Sequence, residues 1–143
     1  MLTFNKEFHM QKNKAILIVE DDPDDSELLL DAVHTANPDV NVRLVENGVE
    51  AIDYLNQQLA DHAPLPGLIV LDLNMPYMDG KTTFQKIKSD NDLCNVPVIV
   101  FTSSLNPNDM AWFASSGVEM ITKPNHFSMM KDIAHHMLAV YKS

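Results

Sequence analysis

The chain has 143 residues, 45% of them hydrophobic, enough for one well-cored domain and too little for a second sizeable one. Twenty Asp and Glu oppose ten Lys and Arg, and the formal net charge of −10, with no basic patch visible along the sequence, excludes a nucleic-acid binder. A single cysteine, Cys94, cannot form an internal disulfide and reads as a small apolar residue near a strand start in a reducing compartment. With no apolar run of about 18 residues and no cleavable leader pattern, the expectation is a soluble cytoplasmic protein without membrane contact.

Residues 1–13 mix polar and aromatic side chains without a period and read as a tail; residues 14–143 read as one domain. From there strand-length apolar runs alternate with helical patterns, the mark of βαβ units and a parallel sheet covered on both faces. The first strand is Ala15 to Val19. The first helix starts at Pro23, capped by Asp22, with Asp24, Asp25 and Glu27 suited to its first turn and Leu29, Ala32, Val33 and Ala36 as its core face. Strand two is Val40 to Val45, and the helix after Gly48 carries a stripe of Val49, Ile52, Leu55 and Leu59. Strand three, Gly67 to Leu71, ends in Asp72 and a long loop to Gly80; a short helix with Phe84 and Ile87 follows, then strand four, Val96 to Phe101. Asn106-Pro107 opens the fourth helix, with Met110, Phe113 and Ala114 toward the core, and Gly117 closes it. After strand five, Glu119 to Thr122, the last helix aligns Phe127, Met130, Ile133, Ala134, Met137 and Tyr141, and no effector domain is expected beyond it.

Four apolar runs end in chemistry: Glu20-Asp21 after the first, Asp72 after the third, Thr102-Ser103-Ser104 after the fourth and Lys123-Pro124 after the fifth. Ligand crevices of open parallel sheets lie outside the carboxyl ends of the strands. Asp24 and Asp25 are accounted for as a solvated helix start. Glu20, Asp21 and Asp72 at one sheet edge would repel one another unless a cation intervened, and Mg²⁺ suits them because it binds few carboxylates and leaves positions for phosphoryl oxygens. Asp72 could then act as a nucleophile toward phosphorus, with Lys123 offsetting charge and the Thr102 hydroxyl bonding a phosphoryl oxygen.

Val19-Glu20-Asp21, Leu71-Asp72-Leu73-Asn74-Met75-Pro76 with Asp79-Gly80, Phe101-Thr102-Ser103 and Thr122-Lys123-Pro124 together resemble the response-regulator receiver domain of two-component signalling. The resemblance implies a flavodoxin-like (βα)5 α/β fold, a doubly wound parallel sheet of order 2-1-3-4-5. It implies that Asp72 accepts a phosphoryl group from a histidine kinase or phosphotransfer protein, and that Glu20 and Asp21 form the acidic pair. Asp21, Asp72 and the Asn74 main-chain carbonyl would hold Mg²⁺, Thr102 and Lys123 would fill the hydroxyl and lysine roles, and the Lys123–Pro124 bond would be cis. The loops Ala60 to Pro66 and Ser89 to Pro97, with Thr102-Ser103-Ser104, look most like stand-alone regulators associated with phytochrome-type kinases.

One position departs from the family: Met120 stands where an aromatic switch residue is usual, though a flexible thioether can repack when Thr102 moves. Output would pass through protein contacts of the fourth helix, fifth strand and fifth helix to an unknown downstream protein. Trp112 is either an exposed interface anchor or a side chain at the core boundary. Met129, Met130 and Met137 read mainly as core; adjacent His135 and His136 read as surface residues. Homodimerisation through the last helices rests on the resemblance alone. The expectation is a signalling protein rather than an enzyme, one that assists its own phosphorylation and slow autodephosphorylation, with Asn74 and Ser104 tuning hydrolysis. Other chemistries fit less well. A haloacid-dehalogenase-type phosphatase needs an acid where Asn74 stands, a nucleotide site needs a glycine-rich first turn, and Asp72 to Gly80 lacks EF-hand spacing. The rival is a constitutive receiver-like interaction module that phosphorylation does not switch.

Overall fold

The computed structural model describes residues 14–104 and 106–142; the expected tail, residues 1–13, lies outside them. Its strands are β1 (Ala15–Val19), β2 (Asn41–Val45), β3 (Leu68–Leu71), β4 (Val98–Thr102) and β5 (Glu119–Thr122). They form one parallel sheet of order β2-β1-β3-β4-β5, as expected. The helices are α1 (Pro23–Ala36), α2 (Gly48–Ala60), α3 (Gly80–Ser89), α4 (Pro107–Ser115) and α5 (Met130–Val140), the last preceded by a 3₁₀ turn, Phe127–Met129.

Alternate residues of a strand face opposite ways, and here both directions are buried. Leu17, Val19, Ile69, Leu71 and Val100 meet Ala51 and Leu55 of α2, Phe84 and Ile87 of α3 and Phe113 of α4. Ile16, Ile18, Val70, Ile99 and Phe101 meet Leu29 and Val33 of α1 and Met130, Ala134 and Met137 of α5. Covering both faces is why the three central strands read as unbroken apolar runs. Caps set the helix starts: the Asp22 carboxylate accepts from the Asp24 and Asp25 amides, Asn47 from Glu50, Asp79 from Thr82 and Asn106 from Asn108. Gly117, at φ +73°, follows the end of α4 in the left-handed region.

Several expectations fail on side-chain direction. Met110 is 44% exposed and Ala114 is exposed, so α4 buries only Phe113. Val49 faces solvent while Ala51 and Leu55 form the buried stripe of α2. Phe127 is 70% exposed and Met129 is exposed. Both lie in the 3₁₀ turn, which winds three residues per turn rather than 3.6 and so puts them out of phase with α5. The Lys123–Pro124 bond is trans, the isomer an X–Pro bond prefers by about 0.5–1 kcal/mol absent other constraints.

Candidate functional site

The parallel register brings the chemical residues to one edge. Leu71 lies opposite Val19 of β1 and Val100 of β4, and Thr102 lies opposite Thr122, so Glu20, Asp72, Thr102 and Lys123 all emerge at the carboxyl ends of adjacent strands. Backbone bonds continue past the strand ends: Asp72 donates its N–H to the Val19 carbonyl, Glu20 to Val45 and Lys123 to Thr102, at 2.8–3.1 Å. The acids therefore sit on an extension of the rigid sheet.

Glu20 and Asp72 are buried and Asp21 is exposed, and one carboxylate oxygen from each lies within 4.8 Å of the others. The Asp72 carboxylate is turned in place by the Leu73 N–H, which donates to Oδ1 at 2.8 Å. Lys123 Nζ donates to Asp72 Oδ2 at 3.4 Å, to Asp25 Oδ2 at 2.9 Å and to Glu20 Oε1. Thr102 is fully buried; its Oγ1 accepts from the Ser104 N–H at 3.1 Å, leaving the hydroxyl proton free to be donated.

Burial pushes the Glu20 carboxyl up to about 7, against the lowering effect of the Lys123 hydrogen bond and with help from the Asp72 charge. Burial alone would lower Lys123, but bonds to Glu20 and Asp25 and the Asp72 charge hold it above the ordinary lysine value. One ammonium thus faces three carboxylates, those of Glu20, Asp25 and Asp72, with Asp21 beside the first and last of them, and burial favours the neutral form of Glu20. Such a donor set, all hard oxygens with an excess of negative charge, fits a small divalent cation.

The close approach of α3 to the acceptor strand depends on Gly80. Its N–H donates to the Leu73 carbonyl at 3.0 Å, and a Cβ there would lie 2.3 Å from the Asp72 carbonyl oxygen. Asn74 is exposed at the start of the loop between Asp72 and α3.

Residues 16–135 match the response regulator receiver domain family. The chain belongs to this family. The receiver is 39% identical over 98 residues to the response regulator Rcp1 of Synechocystis sp., a match spanning 68% of this chain and 67% of that protein. Among solved structures it is similar to the phosphorylated cyanobacterial phytochrome response regulator RcpA, with TM-score 0.79, 34% identity, and 91% and 97% of the two chains covered. It is also similar to the Mn²⁺-bound form of response regulator Rcp1, with TM-score 0.76, 35% identity, and 84% and 91% covered. The receiver is a phosphorelay response regulator, a signalling protein similar to stand-alone phytochrome-associated regulators.

Sequence reasoning missed one member of the receiver's site. Asp25 was explained by the first turn of α1, but its side chain reaches back over the sheet edge to Lys123, 98 residues away. Of the remaining candidates, Met120 is half-buried on β5 opposite Val100 and packs against the core. Trp112 is half-buried and meets Phe84 and Phe113 edge-on at centroid separations of 5.9 and 4.9 Å. His136 pairs with Glu119 at the surface, Nε2 to Oε1 2.8 Å. Among the described residues no helix is long and apolar enough to cross a membrane.

Proposed function

We propose that Asp72 is the phospho-acceptor of this receiver, taking its phosphoryl group from a phosphohistidine of a sensor histidine kinase or phosphotransfer protein. The observation behind this assignment is the convergence of Glu20, Asp21 and Asp72 within 4.8 Å, with Lys123 bonded to the acceptor carboxylate. One oxygen of Asp72 forms the new O–P bond as the histidine N–P bond breaks, and the imidazole leaves with the N–P electron pair. Mg²⁺, held by Asp21, Asp72 and the Asn74 main-chain carbonyl with Glu20 beside them, would neutralise charge on the transferring group.

The chain's own residues do the rest. Leu73 N–H fixes the rotation of the acceptor carboxylate, and Lys123 screens its charge and then pairs with the phosphoryl oxygens. Thr102 donates its hydroxyl proton to one of those oxygens and, because its Oγ1 also accepts from the Ser104 amide, draws the β4–α4 loop with it. Met120 repacks in response. Asn74 and Ser104 set how fast the acyl phosphate hydrolyses, the slow autodephosphorylation expected of such a site. The added charge of roughly −1.5 to −2 is of the size that biases two close-lying conformations by about 1–3 kcal/mol. Residues 14–143 are the switching unit, acting in the cytoplasm on a downstream protein or through a homodimer.

The test is intact mass after incubation with acetyl phosphate, with and without Mg²⁺, for the wild type and Asp72→Asn. A Mg²⁺-dependent gain of one phosphoryl group, lost in the variant, supports the assignment. If neither acetyl phosphate nor a phosphohistidine donor adds mass to folded, Mg²⁺-bound protein, the constitutive interaction module replaces it.

A further inference from the structure

The fold gathers a basic face that the linear sequence does not display. Lys81, Lys86 and Lys88 all lie on α3, whose ten residues contain no acid, in a chain of net charge −10. None of the three is ion-paired with a carboxylate among the described residues. Lys81 Nζ lies 4.6 Å from the centroid of the Trp112 ring and Lys88 Nζ 5.7 Å from that of Phe84. Between α3 and α4, Lys86 and Lys88 border an open groove of about 760 Å³ with Gln85, Ser89 and Ser116 along its walls, no Asp or Glu in its lining, and Trp112, the ring that Lys81 overlies, as part of it.

We propose that this α3–α4 groove docks an acidic segment of a partner protein, a short stretch in which Asp or Glu alternate with one or two aromatic or large aliphatic residues. Charge complementarity selects the acids: the lysines are the positive exception on an acidic molecule and would steer such a segment to this face. The Trp112 and Phe84 rings in the groove lining, with Lys81 over the first and Lys88 over the second, offer the apolar floor that an aromatic anchor fills. Three lysines on so acidic a protein do not sustain the run of phosphate contacts a nucleic acid requires, so a peptide is the better-matched partner. The assignment stands apart from the Asp72 chemistry, since the groove exists without phosphorylation.

The probe is a fluorescein-labelled 12-residue peptide of Glu and Asp punctuated by two Phe, with three comparators: the same peptide with Lys for every acid, an all-acid peptide lacking Phe, and a single-stranded oligonucleotide of equal charge. Anisotropy titrations at low and high salt use the full chain, Lys81→Glu/Lys86→Glu and Trp112→Phe, with circular dichroism confirming the fold of each. Lys88 is left in place because its Nζ also bonds the Cys94 carbonyl at 3.2 Å. Saturable binding of the acidic Phe peptide is expected, weakened about tenfold or more by the paired charge reversal. Binding should weaken with salt, be weaker for the all-acid peptide and be absent for the basic one. Binding unaffected by the charge reversal, tighter binding of the oligonucleotide, or no binding at millimolar peptide would overturn the proposal. So would a dimer seen in sedimentation that Lys81→Glu/Lys86→Glu dissolves, which would give the face to a second copy of this chain.

Discussion

Lys123→Met removes the ammonium from the acid cluster while keeping most of the apolar stem. In the metal-free protein the geometry of the cluster gives the size of what is lost. At separations of 3.4 and 2.9 Å to Asp72 and Asp25, an effective dielectric of about 20 makes each attraction worth about 5–6 kcal/mol before desolvation is counted. Desolvation of the ammonium and the partial exposure of Asp25 offset much of that, while Glu20 and Asp72 remain buried without their counter-ion. Breaking a fully buried pair costs about 3–5 kcal/mol, so for this half-open site the expected loss is about 2–4 kcal/mol at pH 8 in EDTA. For a domain of this size that corresponds to a fall in melting temperature of very roughly 5–15 °C. Two conditions should shrink the loss. At pH 5.5 Glu20 is neutral, because its carboxyl is pushed up to about 7, and saturating Mg²⁺ supplies the missing positive charge. Urea denaturation of both proteins under the three conditions measures it. A loss below about 0.5 kcal/mol at pH 8 in EDTA, or one equal in all three conditions, would refute the electrostatic account.

Glu20 also sets a pH dependence for the native sequence. Its folded value of about 7 lies above the ordinary 4.5, so between those values the folded state holds a proton that the unfolded chain has released. Metal-free stability should therefore gain this contribution's full effect below about pH 4.5 and lose it as pH rises through 7. Mg²⁺ affinity measured by calorimetry should run the other way, rising with pH to about 7 and levelling above it, with proton release on binding; affinity flat from pH 5 to 8 would contradict the assignment of Glu20 to the cation site. Gly80→Ala should destabilise the fold by about 1–3 kcal/mol and slow acetyl-phosphate labelling, because a methyl there meets backbone on both Asp72 and Leu73. Wild-type stability and labelling in that variant would show that α3 does not need its close approach. Phe113→Ala should cost about 3–5 kcal/mol, since the ring is fully buried and packs on both Phe84 and Trp112; an unchanged thermal melt would contradict this.

Much of the site was legible because strand ends are local: an apolar run long enough for a buried strand announces where its next residue emerges. Glu20, Asp72, Thr102 and Lys123 were placed that way, and the parallel register then aligned them. Asp25 was not legible, because a helix first turn already accounts for an acid and the reach to Lys123 is a tertiary fact. Helix phase was read well in α1, but Val49 of α2 and Met110 and Ala114 of α4 were assigned to faces that the packing leaves exposed, and the 3₁₀ turn before α5 put Phe127 out of phase. The lysines of α3 were scattered in the sequence reading, because only when α4 is laid alongside do Lys86 and Lys88 line one groove and Lys81 meet the Trp112 ring.

The most direct test of the central claim is to locate the phosphoryl group. Phosphorylated protein is reduced with borohydride, which converts an aspartyl phosphate to homoserine, and the digested peptides are sequenced by mass spectrometry. Homoserine at position 72, and none at 20, 21 or 25, is the predicted result. Reduction at another acid, or none in protein that has gained the mass of a phosphoryl group, would contradict Asp72 as the acceptor.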